Sequence, residues 1–195
     1  MAKKVNPNAA NNSYQSRNFE RIKNNCIAGL LAEYAWRHYL NQNNVVVEET
    51  VMQDVAKQID LKIKSNDKTI EVRSSFPRNG VNFAVCSSRY QFDVIGPYSN
   101  GYKPSEIQKD YYVRVLYPFE SKDLVTKMKS TNFNFYRTGG VNWQMVSNDT
   151  IAIEKDFIPY DEINIDKISQ KTKYRVVPFS NALDTIMIAE MIRNE

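Results

Sequence analysis

The chain has few of the residues that metal and redox chemistry use most. Its 195 residues include one histidine, His38, and two cysteines, Cys26 and Cys86. One histidine excludes a His-based triad and a histidine-rich zinc cluster. Two cysteines make no disulfide framework. Glycine is scarce too, with six in all, and no GxGxxG or GxxxxGK[ST] occurs. A glycine loop cradling phosphates is therefore excluded. No apolar run is long enough to cross a membrane, and no membrane partner is expected. The first residues, MAKKVNPNAANNSYQS, lack the apolar middle of a signal peptide, so a cytoplasmic location is expected.

What is present suits one folded domain. Hydrophobic residues make up 42% of the chain, enough for a packed core. The net charge is +4 and the pI about 8.9. That excess is compatible with a polyanionic partner without specifying one. Residues 1–17 are polar and rich in Asn, with Lys3, Lys4 and Arg17. They read as a flexible tail, either without a role or serving as an arm along a DNA backbone. Residues 18–195 read as a single domain. Phe19 to Leu40 has helical periodicity, with Ile22, Cys26, Leu30, Ala32, Ala35, Trp36 and Tyr39 as its apolar stripe. Gly29 within it suggests the close approach of another element.

The stretch QIDLKIKSNDKTIEVRSS, Gln58 to Ser75, carries the most chemical information. Ile59, Leu61 and Ile63 alternate with polar residues, as do Ile70 and Val72. That period marks two half-buried strands, and Ser65-Asn66-Asp67 is turn chemistry. A hairpin closing around Ser65 and Asn66 sets Asp60 opposite Glu71. Their Cβ atoms would then stand about 5 Å apart. Like charges so placed need compensation, and a Mg²⁺ ion with its water shell supplies it. A solvated polar face is the alternative.

The order of these residues resembles the core of the PD-(D/E)XK nuclease superfamily, the fold of most type II restriction endonucleases. Asp60 matches its first acid, Glu71-Val72-Arg73 its tripeptide, and Glu33 an acid on the preceding helix. The resemblance covers about residues 19–120. It implies an α/β fold, with a mixed central sheet flanked by helices. It also implies Mg²⁺-dependent, sequence-specific hydrolysis of double-stranded DNA by a homodimer. Asp60, Glu71 and the Val72 carbonyl would be metal ligands; Asp60, Glu71, Arg73 and Glu33 would be catalytic. A cognate DNA methyltransferase on a separate chain is a further partner of such systems. Arg73 departs from the family's lysine. It stays charged, so it can stabilise charge or orient water but cannot act as a base. Lys62, two residues after Asp60, is a substitute on the same face. Two other readings stay open: a structure-specific repair or recombination nuclease, and a DNA-binding protein that has lost catalysis. Glu33 has an alternative reading as an edge glutamate paired with Arg37. Glu49 and Asp54 could add ligands or lie in solvent.

Arg78, Asn79 and Asn82 follow the hairpin in a loop. Arg and Asn are the side chains that contact guanine and adenine edges bidentately. Arg137, Asn142 and Gln144 stand among the aromatics of NFNFYRTGGVNWQ and form a second candidate base-reading set. A surface turn and an aromatic core cluster are the respective alternatives. Strands are expected at Val45 to Val51, Tyr90 to Pro97 with a Gly-Pro turn at its end, Asp110 to Tyr117, and Tyr174 to Phe179. Lys109 falls in the polar loop before the third of these. Gly139-Gly140 reads as a turn. Short helices are expected after N-caps at Ser121 and Ser180, the last with an apolar stripe of Ile186, Met187, Met191 and Ile192.

Overall fold

The computed structural model describes residues 18–50, 59–77, 94–99, 106–130, 132–157 and 172–195. Helix α1, Phe19–Gln42, opens the described chain, and the Asn18 side chain caps it by accepting from Arg21 N–H. Five strands form a mixed sheet: β1 (Val47–Glu49), β2 (Leu61–Ile63), β3 (Thr69–Ser75), β5 (Tyr111–Leu116) and β6 (Tyr136–Asn142), in the order β1-β2-β3-β5-β6. All neighbours are antiparallel except β3 and β5, which run parallel. A second sheet joins β4 (Val94–Ser99), β8 (Thr172–Val177) and β7 (Ile153–Phe157), in the order β4-β8-β7. Helices α2 (Leu124–Met128), α3 (Trp143–Ser147) and α4 (Thr185–Asn194) complete the described elements. The mixed sheet flanked by helices accords with the expected α/β class.

The two faces of the large sheet have different partners. Ile70 and Val72 of β3 join Val113 and Val115 of β5 in one core with Ala28, Ala32 and Trp36 of α1 and Ile188 and Ile192 of α4. Trp36 is fully buried and donates its indole N–H to the Arg114 carbonyl at 3.1 Å. That bond satisfies the indole and ties α1 to β5. Tyr112 and Val141 point the other way, into a second core with Val146, Val94 and Val177. Because β3 alternates, Glu71 and Arg73 also face that second side, where the two sheets meet.

Several local expectations are corrected. Within α1, Leu30 is half-exposed and the buried face runs through Ile22, Asn24, Ala28, Ala32, Ala35, Trp36 and Leu40. Among the described residues, a Cβ on Gly29 would meet nothing within 4 Å, so no described element approaches there. Gly96-Pro97 lies inside β4, at an irregularity between Ile95 and Tyr98, and ends no strand. A methyl on Gly96 would stand 2.7 Å from Val146 Cγ1. Ser121 does not cap α2: its hydroxyl donates to Asn25 Oδ1, and a 3-10 turn, Ser121–Asp123, precedes the helix. Asp184, not Ser180, caps α4, accepting from Ile186 and Met187 N–H. Ile186 and Met187 are exposed; α4 buries Ile192 of the expected stripe together with Ile188 and Ala189.

The glycine pair 139–140 is likewise no chain reversal. It lies within β6, where the register with β5 shifts between Gly140↔Val113 and Arg137↔Val115. Gly139 has φ +84°, the left-handed geometry that a bulge of this type needs. Gly140 exchanges both backbone hydrogen bonds with Leu183. A Cβ on Gly139 would stand 2.0 Å from the Leu183 carbonyl oxygen. Gly139→Ala is therefore expected to cost at least ~2 kcal/mol of unfolding free energy in urea titration. An unchanged midpoint would show that the Leu183 segment can retreat freely.

Candidate active site

Asp60 directly precedes β2, and Glu71 is the third residue of β3. The pairs Leu61↔Ile70 and Lys62↔Thr69 fix the register. The next pair outward is Asp60 and Glu71, as the hairpin pattern implies. Asp60 Oδ2 accepts the Val72 N–H at 2.7 Å. The backbone amide of Val72 thus holds the first acid in place. Arg73 follows on the same face as Glu71, and its Nη1 lies 2.9 Å from Glu71 Oε1.

Two further groups complete the cluster, and both come from the segment before β5. Glu106 accepts from Arg73 Nη2 with both oxygens, at 2.9 and 2.7 Å, and from Tyr98 N–H at 3.2 Å. The Tyr98 ring lies 5.1 Å from the Arg73 guanidinium carbon. The Lys109 ammonium is 3.8 Å from Glu71 Oε2 and donates to the Ile107 carbonyl at 3.0 Å. Lys109 is only 1% exposed, so this lysine is a buried support and not a solvated loop cation. Lys62, the expected substitute lysine, points away and pairs with Asp67 at 2.6 Å.

Burial decides the acidities here. It pushes Glu71 up to about 7, with Asp60 and Glu106 adding to the rise and Arg73 and Lys109 opposing it. Burial also raises Asp60 to about 6, against the Val72 N–H bond, with Glu33 adding to the rise. Glu33 on α1 rises to about 7 through burial and the charges of Glu49 and Glu71. The charge of Glu33 thus reaches Asp60, and that of Glu71 reaches Glu33. Arg37 pairs with Glu49 at 2.6 Å, not with Glu33. Burial opposes the charge of Arg73, but Glu71 and Glu106 outweigh it and the guanidinium stays protonated. Four carboxylates (Glu33, Asp60, Glu71 and Glu106) stand against Arg73 and Lys109. When all are ionised, the cluster lacks two positive charges. Glu71 Oε2 is buried without a hydrogen bond.

Of the proposed base-reading residues, the three that are described do not share one surface. Arg78, Asn79 and Asn82 lie outside the described residues, as do the tail 1–17, Asp54 and Cys86. Arg137 is exposed, opposite Val115 at the far end of β5, with its guanidinium 4.3 Å from the Tyr39 ring centre. Asn142 is buried and caps α3, its Oδ1 accepting from Met145 N–H at 3.0 Å. That oxygen is committed to the fold, which removes Asn142 from the candidate readers. Gln144 is exposed on α3, near the end of the sheet where Glu71 lies.

Sequence reasoning missed Glu106, and it placed Lys109 in solvent. The signal for both is the parallel pairing of Ile70 with Tyr111, which brings the residues before β5 alongside the start of β3. Among the described residues, no group of three or more His, Cys, Asp or Glu side chains is arranged to hold a metal ion, and no helix is long and apolar enough to cross a membrane. No protein-family model matches the chain, and neither the curated proteins nor the solved structures include a significant match to it.

Proposed function

We propose that the chain is a Mg²⁺-dependent nuclease of the restriction-endonuclease type, hydrolysing phosphodiester bonds of double-stranded DNA. One observation carries this reading. Asp60 and Glu71 are opposed across the β2–β3 hairpin, Glu71 buried and Asp60 part-buried, and both are raised in pKa within reach of the charge of a third acid, Glu33. A fold has little reason to bury Glu71 against a second, part-buried acid, with the charge of a third within reach, unless something binds them. The mixed sheet, with an antiparallel hairpin followed by a parallel strand, is compatible with the implied family.

The donor set suits a hard divalent cation. It offers carboxylate oxygens alone, one of them, Glu71 Oε2, buried without a hydrogen bond. Two carboxylates completed by water are a common way to hold Mg²⁺. Asp60 and Glu71 would hold the ion, which supplies charge for the phosphate and a more acidic water. The chain's own groups do the rest. Glu33, with a pKa of about 7, is placed to accept a proton near neutral pH. Arg73 contributes fixed positive charge toward the phosphate. Lys109, a buried ammonium beside Glu71, takes the place that Arg73 leaves unfilled as the family's lysine. Recognition of a short palindrome would require a C2 dimer, since the described residues of one chain carry one such cluster.

Purified protein incubated with plasmid and phage DNA in Mg²⁺ should yield discrete fragments, and none in EDTA. Intact DNA across the panel would count against hydrolysis. One observation favours a second reading, DNA binding without cleavage. Arg73 is held between two carboxylates and does not face solvent as a lysine nucleophile-activator would. DNA binding that persists in Mg²⁺ with no cleavage would identify that case.

A further inference from the structure

Glu106 lies outside the Asp60–Glu71 hairpin. Its side chain is 1% exposed, and it joins three elements: Arg73 on β3, Tyr98 on β4 and its own place before β5. Burying a carboxylate so completely costs several kcal/mol unless its charge is matched. The match is Arg73 Nη2, shared by both oxygens, together with the Tyr98 N–H. Arg73 has two carboxylates within reach. Glu106 takes its Nη2, and Glu71 Oε1 takes its Nη1 at 2.9 Å. Glu71 Oε2 is left without a hydrogen bond. Without an anchor on Nη2, the guanidinium could turn its planar fork fully onto Glu71, since Arg prefers bidentate carboxylate geometry.

We propose that Glu106 is a positioning residue for this site: it holds the Arg73 fork at one edge, so that Glu71 keeps an oxygen for a divalent cation. The inference rests on the cation-binding reading above. Glu106 acts through Arg73 and touches neither the cation nor the substrate. Its loss should weaken cation binding by way of Arg73, and not only because a negative charge has left the neighbourhood.

The test is Mg²⁺ titration of the folded full chain by calorimetry, for four proteins: wild type, Glu106→Gln, Arg73→Gln and the double variant. Wild type should bind Mg²⁺. Glu106→Gln should bind it about tenfold more weakly, and in the Arg73→Gln background the same change should have little further effect. Thermal unfolding confirms that each variant folds. If Glu106→Gln does not fold, Glu106→Asp carries the same test, because it keeps the charge but withdraws it from the fork. An equal loss in both Arg73 backgrounds would mean that Glu106 acts directly by its charge and would overturn the inference. So would unchanged binding in Glu106→Gln. Wild-type protein that binds no Mg²⁺ would instead overturn the cation-binding reading itself.

Discussion

Glu71→Gln is expected to remove Mg²⁺-dependent DNA cleavage by a factor of about 10²–10³ or more, and at pH 8 to make the metal-free protein more stable. The two effects share one cause. Glu71 is 8% exposed, and burial pushes its pKa up to about 7. At pH 8 its carboxylate is charged in a place that disfavours charge. The isosteric amide keeps the shape and an acceptor for Arg73, whose other partner, Glu106, remains. Relief of the buried charge should contribute about 1–3 kcal/mol. The measurements are plasmid nicking in Mg²⁺ and urea unfolding in EDTA. A variant that is both inactive and less stable in EDTA would mark Glu71 as a structural ion-pair partner. A variant that still cleaves would remove it from the site.

The second large effect is on pH. In EDTA, stability should fall as pH rises from about 5 to about 8. Asp60 is raised from 3.8 to about 6, and Glu33 and Glu71 from 4.5 to about 7. In that interval the folded chain holds protons that the unfolded chain has released. The stabilisation is therefore complete below the unfolded values and is lost as pH rises through the folded ones. Each proton so held contributes a slope of about 1.4 kcal/mol per pH unit. Glu33, the most exposed of the three, contributes least. Glu195 acts in the opposite sense. Lys68 and Tyr111 lower its pKa, so its contribution is present above 4.5 and lost below. Millimolar Mg²⁺ should flatten the fall, since a ligand of the folded state adds RT ln(1 + [L]/Kd). Urea midpoints at a series of pH values, with and without Mg²⁺, would show this. Stability that rises through the same interval would contradict the raised acidities.

The hairpin was the most legible part of the chain because period-two alternation and a polar turn act within 18 residues. The pairing of Leu61 with Ile70 follows from the turn alone, and it places Asp60 against Glu71. The span of α1 was legible for a similar reason, but its exact buried face was not. Asn24 is buried because its side chain bonds the Ser121 carbonyl at 2.8 Å, a contact between residues 97 positions apart. The glycine pair misled because Gly139-Gly140 has the composition of a turn, while its role is set by the distant Leu183. Strand β7 was not legible either. Ile153–Phe157 becomes a strand only because Tyr174 and Val176 of β8 offer it a partner. The candidate site divides the same way. Asp60, Glu71 and Arg73 are local to one hairpin and were readable there. Glu106 and Lys109 reach the site through the parallel β3–β5 pairing, which a single sequence does not announce. Composition drew Asn142 toward base reading, but its oxygen is spent on capping α3.

Diffraction from crystals grown or soaked with Mn²⁺, collected to show its anomalous signal, tests the central claim most directly. A single strong peak between the carboxylates of Asp60 and Glu71, lost in Glu71→Gln, is the expected result. Mn²⁺ bound only elsewhere, or no peak beside these two side chains, would contradict the claim that the buried acids form a divalent-cation site.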